Sequence, residues 1–595
     1  MKEYKNRSEV PTKYKWDLSD FFKNEEEFND SYLSAKKIIS ELPKYKNKLK
    51  DPVVMKEFLN KYFESERLLE NLYVFAHLKN DEELGNKESI ERKDKVEKLA
   101  GVLSLNTSYF DTELLEFSKS EYDKLFESNL LDDYKVMLER VYRNKGHVLS
   151  EREENIITEL TLAMDHFDDM SSNILNNEHN YGKVLIDGKN VQITTNNYRH
   201  LMKNTNELVR KNVYNKFWKK INEYSKTNSM LLNSYVSANN KTSIIRNFKS
   251  SWDEKLFHLN LTDKVYESLV KGTLSGTKVL QKYYNLKKDI LKKDVLYDYD
   301  TKLELVNSKK EYSIEEANQI IRKSLLVLGE DYIKRFDKII DNRYIDYCGY
   351  KGKCSGGYSF STMDHDSRIL MSFNGSLDSV STIIHECGHN IHHQYVSNNN
   401  LLHYRGVSSL VSEVASLTNE CLLSKYLEKN GKTKEEKLMG INNLIDVVVS
   451  NLFGAVREGK MEQDFYEYNL NGNVLTKEYL EKLTKDSLKT YYGNSVKLSK
   501  YSGLSYVNRS HYYMNFYLYS YAICISIALV VSDGIFNNNK EVIDNYIKFL
   551  SLGSNVYPIE AFKTLGIDIE STDVYLNAIK CFDNLLDSFI KIYNS

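Results

Sequence analysis

The residues best suited to chemistry are His385, Glu386 and His389, within Leu377-Asp-Ser-Val-Ser-Thr-Ile-Ile-His385-Glu386-Cys387-Gly388-His389-Asn-Ile-His392-His393-Gln394. Their pattern is His-Glu-x-x-His. On a helix, residues i and i+4 lie one above the other on the same face, so the two imidazoles can meet a single metal ion. Glu386 projects beside them, where it can reach a water without itself ligating. Two neutral nitrogen donors and a neighbouring carboxylate are what zinc-assisted hydrolysis requires. The chemistry therefore depends on this stretch being helical. Val380, Ile383, Ile384, Cys387 and Ile391 recur at three- and four-residue steps and predict one apolar helix face. Asn374 or Ser376 can cap it, and Asp378 falls in the first turn, where a carboxylate is favoured.

A tetrahedral catalytic site needs a third protein ligand and one open position. His392 shares roughly the same face, but two turns along a straight helix is about 10 Å, which makes three ligands from one helix awkward. A carboxylate from a second helix is the better source. Val407, Leu410, Val411, Val414, Leu417, Cys421 and Leu422 trace such a helix, and Glu413 and Glu420 lie on one side of it. Two carboxylates beside a partly buried helix are costly unless a cation balances them.

Three runs, Ser355-Gly356-Gly357-Tyr358-Ser359, His385-Glu-Cys-Gly-His389 and Ser412-Glu413-Val-Ala-Ser416-Leu-Thr-Asn-Glu420, closely resemble oligoendopeptidase F of the thimet oligopeptidase family. The resemblance extends from Val10-Pro-Thr-Lys-Tyr-Lys-Trp to beyond Tyr557-Pro558. It implies one Zn2+ per chain held by His385, His389 and Glu413, with Glu386 as general base. Glu420 would hold a ligand in place from outside; His392, next along the motif helix, is a further candidate for that outer position. The resemblance also implies a two-lobed helical peptidase with a deep channel, hydrolysing internal bonds of short oligopeptides. A zinc dipeptidyl- or carboxypeptidase with the same ligands and a non-catalytic peptide-binding scaffold are the alternatives.

The remaining elements must position these groups. Lys351-Gly-Lys-Cys-Ser355-Gly356-Gly357-Tyr358 is a glycine-containing loop beside strand-like Ile369-Leu-Met-Ser-Phe373. It has neither the spacing of a dinucleotide fingerprint nor a Gly-Lys-Ser/Thr for phosphate. A small sheet leading into the motif helix suits a peptide hydrolase, because a strand edge aligns an extended peptide by main-chain hydrogen bonds. Ser355, Gly356, Gly357 and Tyr358 are therefore candidate substrate-binding residues, against the simpler reading of a plain turn. In Arg509-Ser-His511-Tyr512-Tyr513-Met-Asn-Phe-Tyr517-Leu-Tyr519, tyrosines at helical spacing read first as packing. The family has a His/Tyr segment here, which implies that His511, Tyr512 and Tyr519 contact substrate and the oxyanion.

Phe28, Tyr32, Ala35, Ile39 and Leu42 form a helical stripe near the N-terminus, and Lys183–Thr194 reads as a hairpin turning at Asp187-Gly188. The fold expected is mainly α, with a small sheet beside the His-Glu-x-x-His helix. The lobes are expected at 1–195 (N-terminal, helical) and 196–595 (catalytic). At 595 residues, with 28% charged, 41% apolar and a net charge of -2, the composition offers no reason to invoke nucleic acid or a membrane surface. Only four prolines occur, which permits long helices. The charged N-terminus has no apolar run after it, the longest apolar run surrounds Ile523–Ser532, and six scattered cysteines suit a reduced, cytoplasmic setting.

Overall fold

The computed structural model describes residues 4–150, 152–154, 156, 157, 160, 166–306 and 310–595. It is mainly helical, with a two-stranded hairpin and one three-stranded sheet. By contacts the chain divides into two compact units, each made of three segments. The first comprises Met1–Val148, Lys309–Asn430 and Val531–Gly566, the second Leu149–Ser308, Gly431–Val530 and Ile567–Ser595. The expected lobes, 1–195 and 196–595, follow the chain, whereas these units gather distant segments. The reason lies in the core of the first unit. Its N-terminal helices Glu25–Glu41, Pro52–Glu82 and Lys87–Thr107 bury one continuous cluster that includes Leu370, and Tyr358 and Phe360 pack against it. The expected stripe on the first of these helices is present, with Phe28, Ala35, Ile39 and Leu42 buried.

The sheet beside the motif helix has Arg368–Leu370 at its centre. Ile345–Asp346 pairs with it in parallel, and Tyr358–Phe360 pairs antiparallel on the other side, in the register Tyr358 to Leu370 and Phe360 to Arg368. Tyr358–Phe360 is thus an edge strand. The loop feeding it is fixed by a buried lysine. Lys353 Nζ donates to Asp346 Oδ1 at 2.6 Å and to the carbonyls of Asp346, Cys348 and Met371 at 3.0, 2.9 and 2.7 Å. Arg7 bonds the other oxygen of Asp346. The lysine ties the loop to the ends of both parallel strands, which fixes where Ser355–Gly357 begins.

The motif helix runs Leu377–Asn399, capped by Ser376, whose side chain accepts the Ser379 N–H. Val380, Ile383, Ile384, Cys387 and Ile391 are all fully buried, as their spacing predicts. It packs along Ser409–Asn430, and Glu330–Asp341 and Lys540–Leu550 also contact it. Val407 lies before the second helix rather than on it.

In the second unit, Glu207–Ile245 forms a 39-residue helix against Ala455–Leu470 and Lys477–Tyr492, while Asp573–Asn594 packs on Lys434–Val448 and Asp263–Ser275. The expected hairpin is present as Lys183–Ile186 and Lys189–Gln192, with Asp187 and Gly188 both at positive φ, as a two-residue turn of the right hand requires. Lys434–Leu470 and Leu518–Phe536 are long and apolar enough to cross a membrane by length and composition. The sequence expectation had counted only the shorter run inside the second. In the structure 50% and 78% of their most apolar windows are buried within the protein, so these apolar faces have protein partners.

Removing the lysine from the buried pair should be costly, because Asp346 and three carbonyls would lose a donor that water cannot replace. Lys353→Met is expected to destabilise the first unit by about 3 kcal/mol or more. Calorimetry would register this as a lowered thermal midpoint; an unchanged midpoint would mean that the loop does not depend on the ion pair.

Candidate metal centre

The two helices that carry the candidate ligands approach each other backbone to backbone. The crossing point is Gly388, inside the motif. A Cβ built there would lie 2.6 Å from Ser416 Cα and 2.9 Å from Ser416 N, closer than packed atoms tolerate. The absence of a side chain lets the second helix come near enough for its carboxylates to reach the imidazoles. His385, His389 and Glu413 each offer one donor atom, all within 4.8 Å of one another. Glu413 Oε2 lies 3.4 Å from His385 Nε2 and 3.6 Å from His389 Nε2. The two rings stand nearly perpendicular, with centroids 4.9 Å apart.

The donors are oriented from behind. His385 Nδ1 donates to Glu420 Oε1 at 2.7 Å, so that in the neutral ring Nε2, which faces Glu413, carries the lone pair. Ser381 Oγ donates to the other Glu420 oxygen at 2.9 Å. Ser416 Oγ donates to Glu413 Oε2 at 3.0 Å. The sequence reading named Glu420 but missed Ser381, Ser416 and the role of Gly388. Ser416 was legible in principle as a hydroxyl one turn beyond Glu413; Ser381 becomes meaningful only once the two helices are paired.

Charge balance explains what this arrangement wants. Glu386, Glu413 and Glu420 gather around two imidazoles, and among the described residues no lysine or arginine lies within salt-bridge distance of any of the three. Burial opposes charge on His385, but the Glu420 hydrogen bond and the surrounding carboxylates outweigh it and raise its pKa to about 9. Burial and the neighbouring His385 push His389 down. Burial raises Glu386 to about 7, against the pull of His385 and with added repulsion from Glu413 and Glu420. A proton on one imidazole is a partial answer to three carboxylates. A divalent cation bound by two neutral imidazoles and a carboxylate answers it more fully, and the donor set fits one.

The glycine loop reaches this centre. A Cβ on Gly357 would lie 3.0 Å from Thr382 Cγ2 and 3.8 Å from Glu386 Oε1, so the start of the edge strand abuts the proposed base. Gly356 adopts φ +98°, a conformation that disfavours any side chain. Ser355 precedes it on the same exposed turn. Tyr358 points elsewhere: its hydroxyl donates to Asp81 Oδ2 at 2.6 Å and anchors the strand to the helix Pro52–Glu82.

The other candidates are placed differently. His392 is buried and faces Phe549, with ring centroids 6.0 Å apart, and its Nε2 has no hydrogen-bond partner among the described residues. Burial, with His389 and His393 nearby, pushes its pKa down to about 3. It touches neither carboxylate of the second helix by hydrogen bond. His511, Tyr512 and Tyr519 belong to the second unit. Tyr512 sits edge-on to Phe465, and Tyr519 edge-on to Trp252 and Tyr266; both rings are buried, and the Tyr519 hydroxyl is buried without a hydrogen-bond partner among the described residues. His511 is half-buried, 5.9 Å from Tyr521 between ring centroids.

A helical fold with a small sheet abutting paired His and Glu donors defines a metallopeptidase. Comparison with known proteins agrees. Residues 200–581 match Peptidase family M3, and residues 113–180 match the family described as Oligopeptidase F. Oligopeptidase PepF of Bacillus subtilis is 30% identical across 98% of this chain and 88% of its own length. An oligoendopeptidase F homolog of Borreliella burgdorferi is 30% identical across 99% and 100%. A solved structure from Chlamydophila abortus superimposes with a TM-score of 0.90 at 25% identity, covering 99% of both chains. The chain belongs to peptidase family M3.

The close crossing yields a direct test. Gly388→Ala is expected to force the helices apart, costing about 1–3 kcal/mol in stability and lowering bound divalent metal well below one per chain. Cys387→Ala, at a fully buried position one residue away, should lose stability but keep its metal. Elemental analysis alongside thermal unfolding measures both. Full metal occupancy in the Gly388 variant would disprove the role given to the crossing.

Proposed function

We propose that the chain is a zinc-dependent endopeptidase that hydrolyses internal bonds of short oligopeptides. The observation that carries this is the convergence of His385 Nε2, His389 Nε2 and a Glu413 oxygen, with Glu420 setting the His385 tautomer. His385, His389 and Glu413 would hold the ion. Zinc, when bound, supplies a Lewis acid for the peptide carbonyl and makes water a nucleophile near neutral pH.

The rest is done by the protein's own groups. The edge strand Tyr358–Phe360, with Gly357 leading into it, hydrogen-bonds an extended peptide and lays its backbone beside Glu386, whichever side chains the peptide carries. Ser355 and Gly356 shape the turn that admits it, and Tyr358 holds the strand through Asp81. Glu386 takes a proton from the attacking water at its carboxylate oxygen and delivers it to the departing amine. Burial favours the neutral form of the Glu386 carboxyl group, so a proton it accepts is readily held for delivery to the amine. Glu420, through His385 Nδ1, keeps the ligand nitrogen aimed. The assignment of His511, Tyr512 and Tyr519 to the substrate and oxyanion rests on the family resemblance alone. Of these, His511 is the accessible side chain, and Tyr512 and Tyr519 would act by holding the segment. A cytoplasmic setting is part of the same proposal and rests on the scattered spacing of the six cysteines in the sequence.

Glu386→Gln preserves shape and removes the base. It is expected to keep stoichiometric zinc while turnover of a quenched peptide falls by about three orders of magnitude or more. Near-normal turnover would remove Glu386 from the mechanism. Peptides blocked at both ends separate the endopeptidase from enzymes that read a terminus. An endopeptidase cleaves blocked and free peptides at comparable kcat/KM, whereas a dipeptidyl- or carboxypeptidase loses the blocked one.

A further inference from the structure

The first unit contains a cavity of about 500 Å³ whose walls include His389 and Ser412, the residue before Glu413. It therefore adjoins the donor cluster, and its size is that of a small-ligand pocket rather than a packing gap. The walls are polar and apolar in about equal measure, with Ser361, Thr362, Ser367 and His393 supplying polar groups and Met363, Leu402 and Val407 apolar ones.

One cation on this wall lacks an ionic partner. Arg405 Nη1 donates to the Met363 carbonyl at 2.6 Å, and its Nε reaches the Asn400 carbonyl at 3.4 Å. Among the described residues no carboxylate lies within salt-bridge distance of it. A guanidinium has five N–H groups, and two carbonyls neither use them all nor neutralise its charge. Glu70 is the one acidic side chain on the walls, and it does not pair with Arg405. Its Oε2 instead accepts the Met363 N–H at 2.7 Å. Glu70 and Arg405 thus grip the two polar groups of one residue in the loop between the edge strand and the central strand. That loop is fixed further at Asp364, which accepts from Arg67 and Asn71 at 2.7 Å each. The guanidinium is consequently held in place on the wall of a cavity that His389 also lines, with N–H groups beyond those the two carbonyls accept.

We propose that this cavity is a specificity subsite for an acidic side chain of the peptide close to the cleaved bond, with Arg405 as the ion partner of its carboxylate. This rests on the peptidase reading above. Arg405 binds the substrate and takes no part in proton transfer. The carboxylate accepts hydrogen bonds from the guanidinium in a geometry that a neutral amide reproduces only in part. Glutamate against glutamine is therefore the comparison that isolates the charge.

The test uses the zinc-loaded full chain and a neutral quenched peptide in which Glu or Gln occupies, in turn, each of the three positions on either side of the cleaved bond. At one position kcat/KM for Glu is expected to exceed that for Gln by about ten-fold or more, the worth of a charge-assisted hydrogen bond. In Arg405→Met this ratio should fall to about one, and in Arg405→Lys it should be partly retained. The ratio is taken within one preparation, so it does not depend on what fraction of a variant folds. Cleavage with no Glu preference at any position, a preference for Lys in place of Glu, or a Glu preference unchanged in Arg405→Met overturns the subsite and leaves the peptidase standing. No cleavage of any peptide overturns both.

Discussion

Three carboxylates are brought to a partly buried place where the described residues supply no lysine or arginine to balance them, and much of the first unit is arranged to keep them there. Isolated, each would regain hydration by turning outward. They are prevented because the two helices are locked at Gly388, where the main chain of Ser416 occupies the space that a side chain would take. The apolar faces of Leu377–Asn399 and Ser409–Asn430 drive the association, since both bury a full stripe of aliphatic residues. Burial thus stabilises the helix pair and concentrates negative charge at one end of it. A divalent cation held by these donors would relieve that tension.

The sheet serves the same centre by a different physical route. Three strands of two or three residues cannot be stable alone. Their stability is borrowed from the N-terminal helices, whose core continues into Leu370 and reaches Phe360. The ion pair of Lys353 with Asp346 and the tether of Tyr358 to Asp81 add polar fixings at either side of the glycine turn. This explains why the N-terminal helices and the motif helix share one compact unit although hundreds of residues separate them. In the proposed role of aligning a peptide, a strand edge gains from such bracing, because a peptide bound to a loose edge would have to order it first.

Tyrosine abounds in this chain, with 45 residues, and its use is mostly architectural. Tyr109 donates to the Leu42 carbonyl, Tyr181 to that of Leu175 and Tyr575 to that of Ile569, in each case a ring in the core whose polar tip meets main chain. Tyr512 and Tyr519 share that buried setting, edge-on to other aromatic rings. Reading such a run for chemistry is difficult because the same spacing that lines up hydroxyls also lines up rings.

The sequence by itself determined the local elements and the first half of the site. Helical periodicity from Val380 to Ile391 and the i, i+4 placement of His385 and His389 depend only on backbone geometry, so they were legible from spacing. The hairpin at Asp187-Gly188 was legible for the same reason, since its turn demands residues that accept positive φ. Tertiary structure alone decided which carboxylate of the second helix meets Nε2 and which meets Nδ1. Glu413 and Glu420 lie on one face of one helix, and only the crossing at Gly388 sets them on opposite sides of the His385 ring. Tertiary structure also decided that residues 1–148 pack with the motif helix, and that Arg405 and Glu70 hold one loop without pairing. Those outcomes depend on contacts between residues far apart in the chain, and periodicity along a single segment carries no information about its partner.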